Sequence, residues 1–239
     1  MTAEPIARNL GLAGDRLEFS DGEIHFLWWF IQGSIMNPGT RRRLLAAWGM
    51  CARHAAAFLA VEAAYRPNWM HAGALLYLDL IEHAVAALTT HGPFGEQRVI
   101  RRLRPTGPCL MCDLAVDAAG RGAASDALIE RGRDRAPLRH FAAEAGNWAA
   151  FVCRRCSSGA TGPLCRRHLI ADAGLDLAGE VRVQRATLGH IARHLFRYAR
   201  SFRWECRQTD TPEDRAALLE AVGWCSGWSG VLAIIGGPE

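Results

Sequence analysis

"HAGALLYLDLIEHAVAAL" (71–88) is the stretch that decides the fold class, because its apolar residues recur with the period of an α-helix. Leu75, Leu78 and Ile81 lie along one stripe of that helix, and its other faces are also largely apolar. "TLGHIARHLFRYARSF" (187–202) repeats the pattern, with a run of arginines opposite the apolar stripe. No convincing alternation typical of β-strands accompanies these segments. We therefore predict a mainly α protein, built as a two-repeat helical bundle.

The chain also resembles itself. "MCARH" (50–54) aligns with "LCRRH" (164–168), and "PGTRRRLLAAWGMC" (38–51) aligns with "PEDRAALLEAVGWC" (212–225). The shared unit predicts a proline at a helix start, a short amphipathic helix, a glycine at its end, and a cysteine that opens the next helix. The third copy has Trp228 in place of the histidine, so we interpret it as degenerate.

These matches divide the chain into five segments that we expect to pack as one domain. Residues 90–108 are rich in Gly, Pro and Arg and are interpreted as a linker. The predicted segments are an N-terminal extension (1–22), a first helical repeat (23–89), the linker (90–108), a second helical repeat (109–204), and a C-terminal degenerate repeat and tail (205–239).

Composition favours a protein with a sizeable core that does not enter a membrane. Half of the 239 residues are hydrophobic, and the formal net charge is only +4. The basic residues are all arginine, as in proteins of GC-rich bacterial genomes. The N-terminus lacks the apolar core of a signal peptide, and Asp79 and Glu82 interrupt the longest apolar run. We expect a cytoplasmic protein whose cysteines stay reduced.

Four short motifs carry the spacing of metal half-sites, in which one tight turn presents two ligands to one ion. They are Cys51/His54, Cys109/Cys112, Cys153/Cys156 and Cys165/His168. Zinc prefers four tetrahedral ligands drawn from thiolate and imidazole, so two half-sites complete one site. The sequence therefore predicts one or two zinc ions in sites of the Cys3His type.

The pairing of the half-sites stays open at this point. Sequence proximity favours joining Cys153/Cys156 to Cys165/His168, because the short loop between them closes at little entropic cost. Cys51/His54 would then join Cys109/Cys112. The alternative pairs Cys109/Cys112 with Cys165/His168 and leaves Cys153/Cys156 for Cys51/His54.

Charge and helix position support metal binding. Cys51 and His54 stand at the start of "CARHAAAFLAVEAAY", where free backbone N–H groups and the helix dipole favour a thiolate. A zinc ion with three thiolates and one imidazole carries a net charge of −1. Four arginines lie within the half-sites Cys153/Cys156 and Cys165/His168, and they would offset that charge or contact a partner or nucleic acid: Arg154, Arg155, Arg166 and Arg167.

Between Glu23 and Trp228 the chain contains "GSIMNPGTRRRLLAAWGMCARHAAAF", a CxxC, "LCRRH", and "RYARSFRWECRQTDTPEDRAALLEAVGW". Through these motifs it resembles a bacterial domain family of unknown function. In that family of duplicated helical proteins each repeat carries a CPxC and later a GxCxxH. The resemblance implies the alternative pairing, of Cys109/Cys112 with Cys165/His168. This sequence departs from the pattern, since no cysteine precedes Cys51, and the family supplies no activity.

A structural zinc protein that binds a protein partner is the leading functional interpretation, because three thiolates and one imidazole leave no open position for catalysis. The aromatic run 25–34 offers a docking surface only if it is exposed, and we expect Phe26, Trp29 and Phe30 to be core. Nucleic-acid binding through the arginine clusters beside the zinc sites is the second interpretation.

Two further interpretations depend on other residues. A metalloenzyme would use His190 and His194, four apart on one helix, with Asp79, Glu82 or His83 of the matching helix as further ligands. Redox chemistry or an iron–sulfur cluster would use the CxxC pairs, although no thioredoxin-like pattern surrounds them. The remaining cysteines, Cys206 and Cys225, are expected to be inert packing thiols.

Overall fold

The computed structural model describes residues 17–89, 95–116, 124–172 and 176–236, and helices dominate these ranges. The α-helices are α1 (Asp21–Ile31), α2 (Pro38–Ala47), α3 (Ala52–Tyr65), α4 (His71–Leu88), α5 (Gly95–Leu103), α6 (Leu110–Asp113), α7 (Asp126–Gly132), α8 (Ala136–Glu144), α9 (Arg166–Ala171), α10 (Leu177–Arg200), α11 (Pro212–Ser226) and α12 (Ser229–Ile235). Short 3-10 helices cover Ser34–Met36, Trp148–Phe151 and Trp204–Cys206. Within the described ranges, β pairing is limited to one isolated bridge between Cys153 and Gly162. The prediction of a mainly α protein is confirmed.

Helix α3 lies at the centre of the bundle. Each of its residues from His54 to Ala64 is buried, and many of them are alanine, whose small side chain lets neighbouring helices approach closely. Helix α12 crosses α3 at Gly230, where an added Cβ would lie 2.1 Å from the carbonyl oxygen of Ala52. Only glycine therefore allows these two helices to meet at this distance.

The two long helices, α4 and α10, pack antiparallel and make the most extensive helix contact among the described residues. At one end, Arg185 of α10 donates from Nη2 to the carbonyl oxygen of Leu88, the last residue of α4, at 2.7 Å. At the other end, the Phe202 ring lies 4.9 Å from the Trp69 ring just before α4. The two helices with the strongest apolar periodicity thus pack against each other, although Leu75 and Leu78 of the predicted stripe are only partly buried and the buried residues of α4 include Leu76, Tyr77 and Leu80.

Helix α11 packs against both α10 and α4, and its contact with α10 is polar as well as apolar. Trp224 donates its Nε1–H to Oε1 of Gln184 at 2.7 Å, and both side chains are buried. Nδ1 of His194 lies 2.7 Å from Oδ1 of the buried Asp214. These pairs fix the register of the two helices, because a slip would leave buried polar groups unpaired.

Part of the predicted linker is a packed helix. Residues 95–103 form α5, which buries Val99, Ile100 and Leu103 against α4 and its neighbours. The interpretation of 90–108 as a linker is therefore wrong for α5. Residues 90–94 lie outside the described residues.

The third copy of the repeat differs from the first. In the first copy, Pro38 starts α2, the left-handed Trp48 and Gly49 (φ 59° and 92°) end it, and Cys51 caps α3, as predicted. In the third copy, α11 begins at Pro212 but continues through Gly223 and Cys225 to Ser226. The prediction that Cys225 opens a helix is therefore wrong.

Two surface features bear on partners. Of the aromatic residues expected in the core, Phe30 is buried and Phe26 is partly buried, but Trp29 is 51% exposed, so the prediction is wrong for Trp29.

Helix α4 is long and apolar enough to cross a membrane by length and composition, yet 56% of its span is buried inside the protein. That burial is typical of a core helix.

Candidate metal centres

The start of α3 and the start of α6 meet to form the first Cys/His group, which we call cluster 1: Cys51, His54, Cys109 and Cys112. The turn at Trp48–Gly49 reverses the chain after α2, so that Cys51 caps α3. The Thr106 N–H donates to the carbonyl oxygen of Ala46 at 2.8 Å, which holds the second half-site beside the first. Both half-sites therefore sit at helix starts, as the sequence predicted for the first.

The ligand atoms of cluster 1 converge on Nδ1 of His54. This nitrogen lies 3.3 Å from Sγ of Cys51, 3.4 Å from Sγ of Cys109 and 3.3 Å from Sγ of Cys112. Sγ of Cys51 and Sγ of Cys112 are 3.9 Å apart. Zn–S and Zn–N bonds of about 2.3 and about 2.05 Å at tetrahedral angles would separate two sulfurs by about 3.8 Å, and a sulfur from a nitrogen by about 3.5 Å. The observed spacings match a single tetrahedral ion.

The second group, cluster 2, is Cys153, Cys156, Cys165 and His168. Its first two cysteines lie in the turn after the 3-10 helix 148–151, and Cys165 caps α9, which carries His168. The turn is closed by the Cys153–Gly162 bridge, where an added Cβ on Gly162 would lie 2.4 Å from the carbonyl oxygen of Val152. Glycine therefore permits the tight knuckle.

Cluster 2 repeats the geometry of cluster 1. Nδ1 of His168 lies 3.4, 3.5 and 3.4 Å from the sulfurs of Cys153, Cys156 and Cys165, in that order. Sγ of Cys156 and Sγ of Cys165 are 3.7 Å apart, too far for a disulfide. In each cluster the four ligand atoms lie within 4.8 Å of one another, so both clusters can hold a metal ion.

The structure resolves the pairing of the half-sites. Cys109/Cys112 lies with Cys51/His54, and Cys153/Cys156 lies with Cys165/His168, as sequence proximity favoured. The alternative pairing, which the family resemblance implies, is wrong. Cys153/Cys156 completes a local site with Cys165/His168, which leaves Cys109/Cys112 to supply the half-site that the sequence before Cys51 lacks.

The thiols of each cluster compete for negative charge. In cluster 1, hydrogen bonds from Cys51 and His54 lower the pKa of Cys109 to about 3, while the pKa of Cys51 is raised by the same bond and by burial. In cluster 2, hydrogen bonds from Cys156 and Cys165 lower the pKa of Cys153, and the pKa values of those two partners are raised. A divalent cation would supply the charge to ionise those thiols whose pKa is raised.

A carboxylate orients the imidazole of cluster 1. Oε1 of Glu23 lies 3.0 Å from Nε2 of His54, and Arg53 donates to both carboxylate oxygens at 3.0 and 2.9 Å. Glu23 is 1% exposed, and burial raises its pKa, but hydrogen bonds from Arg53 and the Ser20 N–H, with the charges of Arg53 and His54, together outweigh burial and lower it. Burial disfavours the charged form of His54, but its hydrogen bonds to Cys109 and Glu23 outweigh that cost and raise its pKa. Such a carboxylate–histidine pair is typical of metal sites, and it leaves Nδ1 free as the ligand.

Sequence reasoning missed Glu23. Its only local signal is the spacing to Ser20, which marks the capping box at the start of α1. That signal explains the helix start and gives no hint that the same carboxylate reaches His54.

The four arginines between the ligands of cluster 2 are mostly engaged within the protein. Arg154 donates to Glu180 at 2.8 Å, and Arg155 donates to both oxygens of Asp172 at 3.0 and 2.9 Å. Arg166 is 6% exposed and donates to the carbonyl oxygens of Cys225 and Leu103 at 3.0 and 2.9 Å. The predicted partner or nucleic-acid contact is therefore wrong for the buried Arg166, and carboxylates already neutralise Arg154 and Arg155. Arg167 is exposed.

The second metal site predicted around His190 and His194 does not form with α4. Asp79 of α4 pairs with Arg41, and the His83 ring lies 4.9 Å from the Trp48 ring. Instead the two histidines face α11. His194 bonds Asp214, and Nε2 of His190 lies 3.9 Å from Oε2 of Glu220. The grouping of these histidines with Asp79, Glu82 or His83 is therefore wrong.

The remaining cysteines lie outside both clusters. Cys225 is fully buried, and burial raises its pKa to about 12, so it is an inert packing thiol as predicted. Cys206 is half-buried and accepts a hydrogen bond from Nη2 of Arg200 at 3.6 Å. Its neighbours are thus arginine and loop residues and not other thiols.

Comparison with models of known protein families, with curated proteins and with solved structures found no match. The resemblance to the bacterial family of duplicated helical proteins stays an expectation. The geometry of clusters 1 and 2 is the observation from which a function can be argued.

Proposed function

We propose that each cluster binds one zinc ion and that the protein is a zinc-stabilised helical scaffold that binds a partner protein in the cytoplasm. The convergence of three sulfurs and one imidazole nitrogen within 4.8 Å, twice in one chain, carries this proposal. Thiolate and imidazole are the donors that zinc prefers in structural sites. The ions would hold helix starts together that the backbone alone leaves apart.

The donor set favours a structural role over a catalytic one. Catalytic zinc keeps an open position for water or substrate, whereas three thiolates and one imidazole fill a tetrahedral ion. The short spacing also supports one ion per cluster, since the ligands of an iron–sulfur cluster bind several irons and lie further apart. An iron–sulfur cluster is the alternative occupant of the same ligands, and elemental analysis distinguishes it from zinc.

The two ions would do different mechanical work. Cluster 1 joins residues 61 positions apart, Cys51 and Cys112, and so fixes α6 against the central helix α3. Cluster 2 joins residues 15 positions apart, Cys153 and His168, and so shapes a local knuckle before α9. Together they would make the bundle rigid enough to present its surface to a partner. The half-exposed Trp29 and Met36, which is 60% exposed, support an apolar protein contact near α1.

Elemental analysis of protein purified without added metal tests the proposal. We expect two equivalents of zinc and no colour in the intact chain, one equivalent in Cys112→Ser and one in Cys156→Ser. Cys206→Ser is the matched control, because this thiol lies outside both clusters and its loss should leave two equivalents. Absence of bound metal would overturn the proposal, and a coloured, iron-containing protein would replace zinc with the iron–sulfur alternative.

A further inference from the structure

The second half of α10 and the turn that follows it form an exposed face that carries five arginines and two aromatic side chains. We call it the α10 surface, and its members are Arg193, Phe196, Arg197, Arg200, Arg203, Trp204 and Arg207. Trp204 is 79% exposed and Phe196 is 47% exposed, and both rank among the most exposed large apolar side chains of the described residues. Exposed apolar groups that are surrounded by polar residues are typical of interaction sites.

Charge on this surface is concentrated and of one sign. Residues 193–207 contain five arginines and one acid, Glu205, so this segment alone carries a net charge of +4, the formal net charge of the whole chain. Arg193 and Arg197 are exposed and make no ion pair with any described residue. The arginines beside cluster 2, by contrast, are mostly paired. Unpaired positive charge is therefore concentrated on this surface, whereas most of the arginines beside cluster 2 are neutralised by carboxylates or buried.

The aromatic rings already interact with guanidinium groups. The guanidinium carbon of Arg200 lies 5.7 Å from the centre of the Phe196 ring, and that of Arg207 lies 5.4 Å from the centre of the Trp204 ring. Arg200 also bonds Cys206, which ties the helix to the turn. The result is one continuous surface of flat, cationic and π-bearing groups.

A cavity of about 710 Å³ opens beside the same turn. Trp69, Tyr198 and Phe202 give it aromatic walls, and Arg207 and Gln208 bring polar groups to it. Two carboxylates, Glu144 and Asp210, also line it, and both pair with Arg215. Gln208 has a φ of 59°, a left-handed conformation that a residue with a side chain rarely adopts and that often marks a binding site. A recess with aromatic walls and polar groups suits an unstacked base better than an acyl chain.

We propose that the α10 surface binds single-stranded nucleic acid. The exposed arginines would contact phosphates, while Phe196 and Trp204 would stack on bases. Successive arginines at positions i and i+4 of a helix are about 6 Å apart, close to the spacing of phosphates along one strand. A basic groove with exposed aromatic rings is the general pattern of proteins that bind single strands without reading sequence. This proposal depends on surface residues and not on metal occupancy.

Fluorescence anisotropy of the full-length protein with a labelled single-stranded RNA of about 12 nucleotides tests the proposal. With about four phosphates contacted, we expect affinity to fall about 50-fold between about 50 and about 200 mM KCl. The double variant R193E/R197E should abolish binding at the higher salt. R98E/R101E on α5 is the matched control, because it reverses two exposed arginines on a helix that has no aromatic residue among its described positions 95–103, and it should change affinity much less.

Aromatic and ligand controls separate the alternatives. We expect Trp204→Ala to weaken RNA binding about tenfold and to leave binding of inorganic polyphosphate unchanged, since polyphosphate has no bases to stack. Circular dichroism of each variant should match that of the parent chain. Equal losses in the two charge-reversal variants, no binding at low salt, or binding only to vesicles with anionic phosphatidylserine headgroups would overturn the proposal.

Discussion

Replacing Glu23 by glutamine tests whether the buried carboxylate tunes cluster 1. The amide keeps the shape of the side chain but cannot offer two charged oxygens to His54 and Arg53 at the same time. Nδ1 of His54 faces the three sulfurs, so Nε2 must carry the proton and donate it to Glu23. We expect Glu23→Gln to weaken metal binding at cluster 1 and to leave cluster 2 unchanged.

The magnitude follows from the surroundings of the carboxylate. Glu23 is 1% exposed and lies 3.0 Å from Nε2 of His54, so water does not screen this contact. Removing such an outer carboxylate costs about 10- to 100-fold in metal affinity. This corresponds to about 1.4 to 2.8 kcal/mol of binding free energy at cluster 1. The Arg53 side chain is 43% exposed, so water compensates for most of the lost ion pair between Arg53 and Glu23. The loss of metal affinity therefore comes mainly from the weakened contact between Glu23 and the His54 imidazole.

Stepwise transfer of zinc to a colorimetric chelator measures the two sites in one molecule. The Cys112→Ser and Cys156→Ser variants assign each release step to its cluster. Cluster 2 is the internal control, because Nε2 of His168 has no carboxylate partner among the described residues. The reasoning is refuted if Glu23→Gln weakens both clusters equally, or if the affinity of cluster 1 changes less than about twofold.

Three further predictions concern stability. Gly223→Ala should lower the free energy of unfolding, measured in urea, by about 2 to 3 kcal/mol, because the added Cβ would lie 2.2 Å from the Trp228 ring. Gly189→Ala, on an open helix surface, should raise the free energy of unfolding by about 1 kcal/mol. A Gly223→Ala variant that is more stable than Gly189→Ala would contradict the packing. Burial raises the pKa of Glu220 to about 8, so the protonated carboxyl stabilises the fold fully below its unfolded pKa near 4.5 and the benefit is lost as pH rises through 8. Chemical denaturation at pH 6 and pH 9 should therefore show a loss to which Glu220 contributes about 2 kcal/mol, and Glu220→Gln should remove that part. The contribution of Glu62, whose pKa burial also raises to about 8, should remain, and parallel slopes in both proteins would contradict the assignment. Chelation of the metal should lower the thermal midpoint, followed by circular dichroism, by about 10 to 20 °C, and added zinc should restore it; an unchanged midpoint would argue against structural ions.

Local patterns were enough to predict the helices whose faces are fully apolar. The stretch 71–88 coincides with α4, because a helix buried on most sides leaves its periodicity in the sequence. The same rule failed for α5, where the pattern of Val99, Ile100 and Leu103 was outweighed by the Gly, Pro and Arg around it. The third repeat failed for a tertiary reason. The pattern predicts a helix end at Gly223, but the helix continues through this residue, and the missing side chain leaves room for the Trp228 ring.

The candidate sites divide in the same way. All eight ligands were predictable, because each CxxC or CxxH is complete within one turn. The pairing was open because it depends on which helix starts meet in space, and spacing carries information only for the local loop of cluster 2. Glu23 and His54 are 31 positions apart, and Arg166 is 59 positions from Cys225, whose carbonyl oxygen it contacts. No periodicity in the sequence marks either contact.

The contrast in span between the clusters has a consequence for the order in which the protein assembles. Closing the 61-residue separation of cluster 1 costs about 1 kcal/mol more chain entropy than closing the 15-residue separation of cluster 2. With the metal ions proposed above, the knuckle would capture its ion as an isolated peptide segment, early in refolding. The long-range centre would load only after α3 and α6 have met. Occupancy of the long-range centre would thus report that the chain has reached its native arrangement, while occupancy of the knuckle would not.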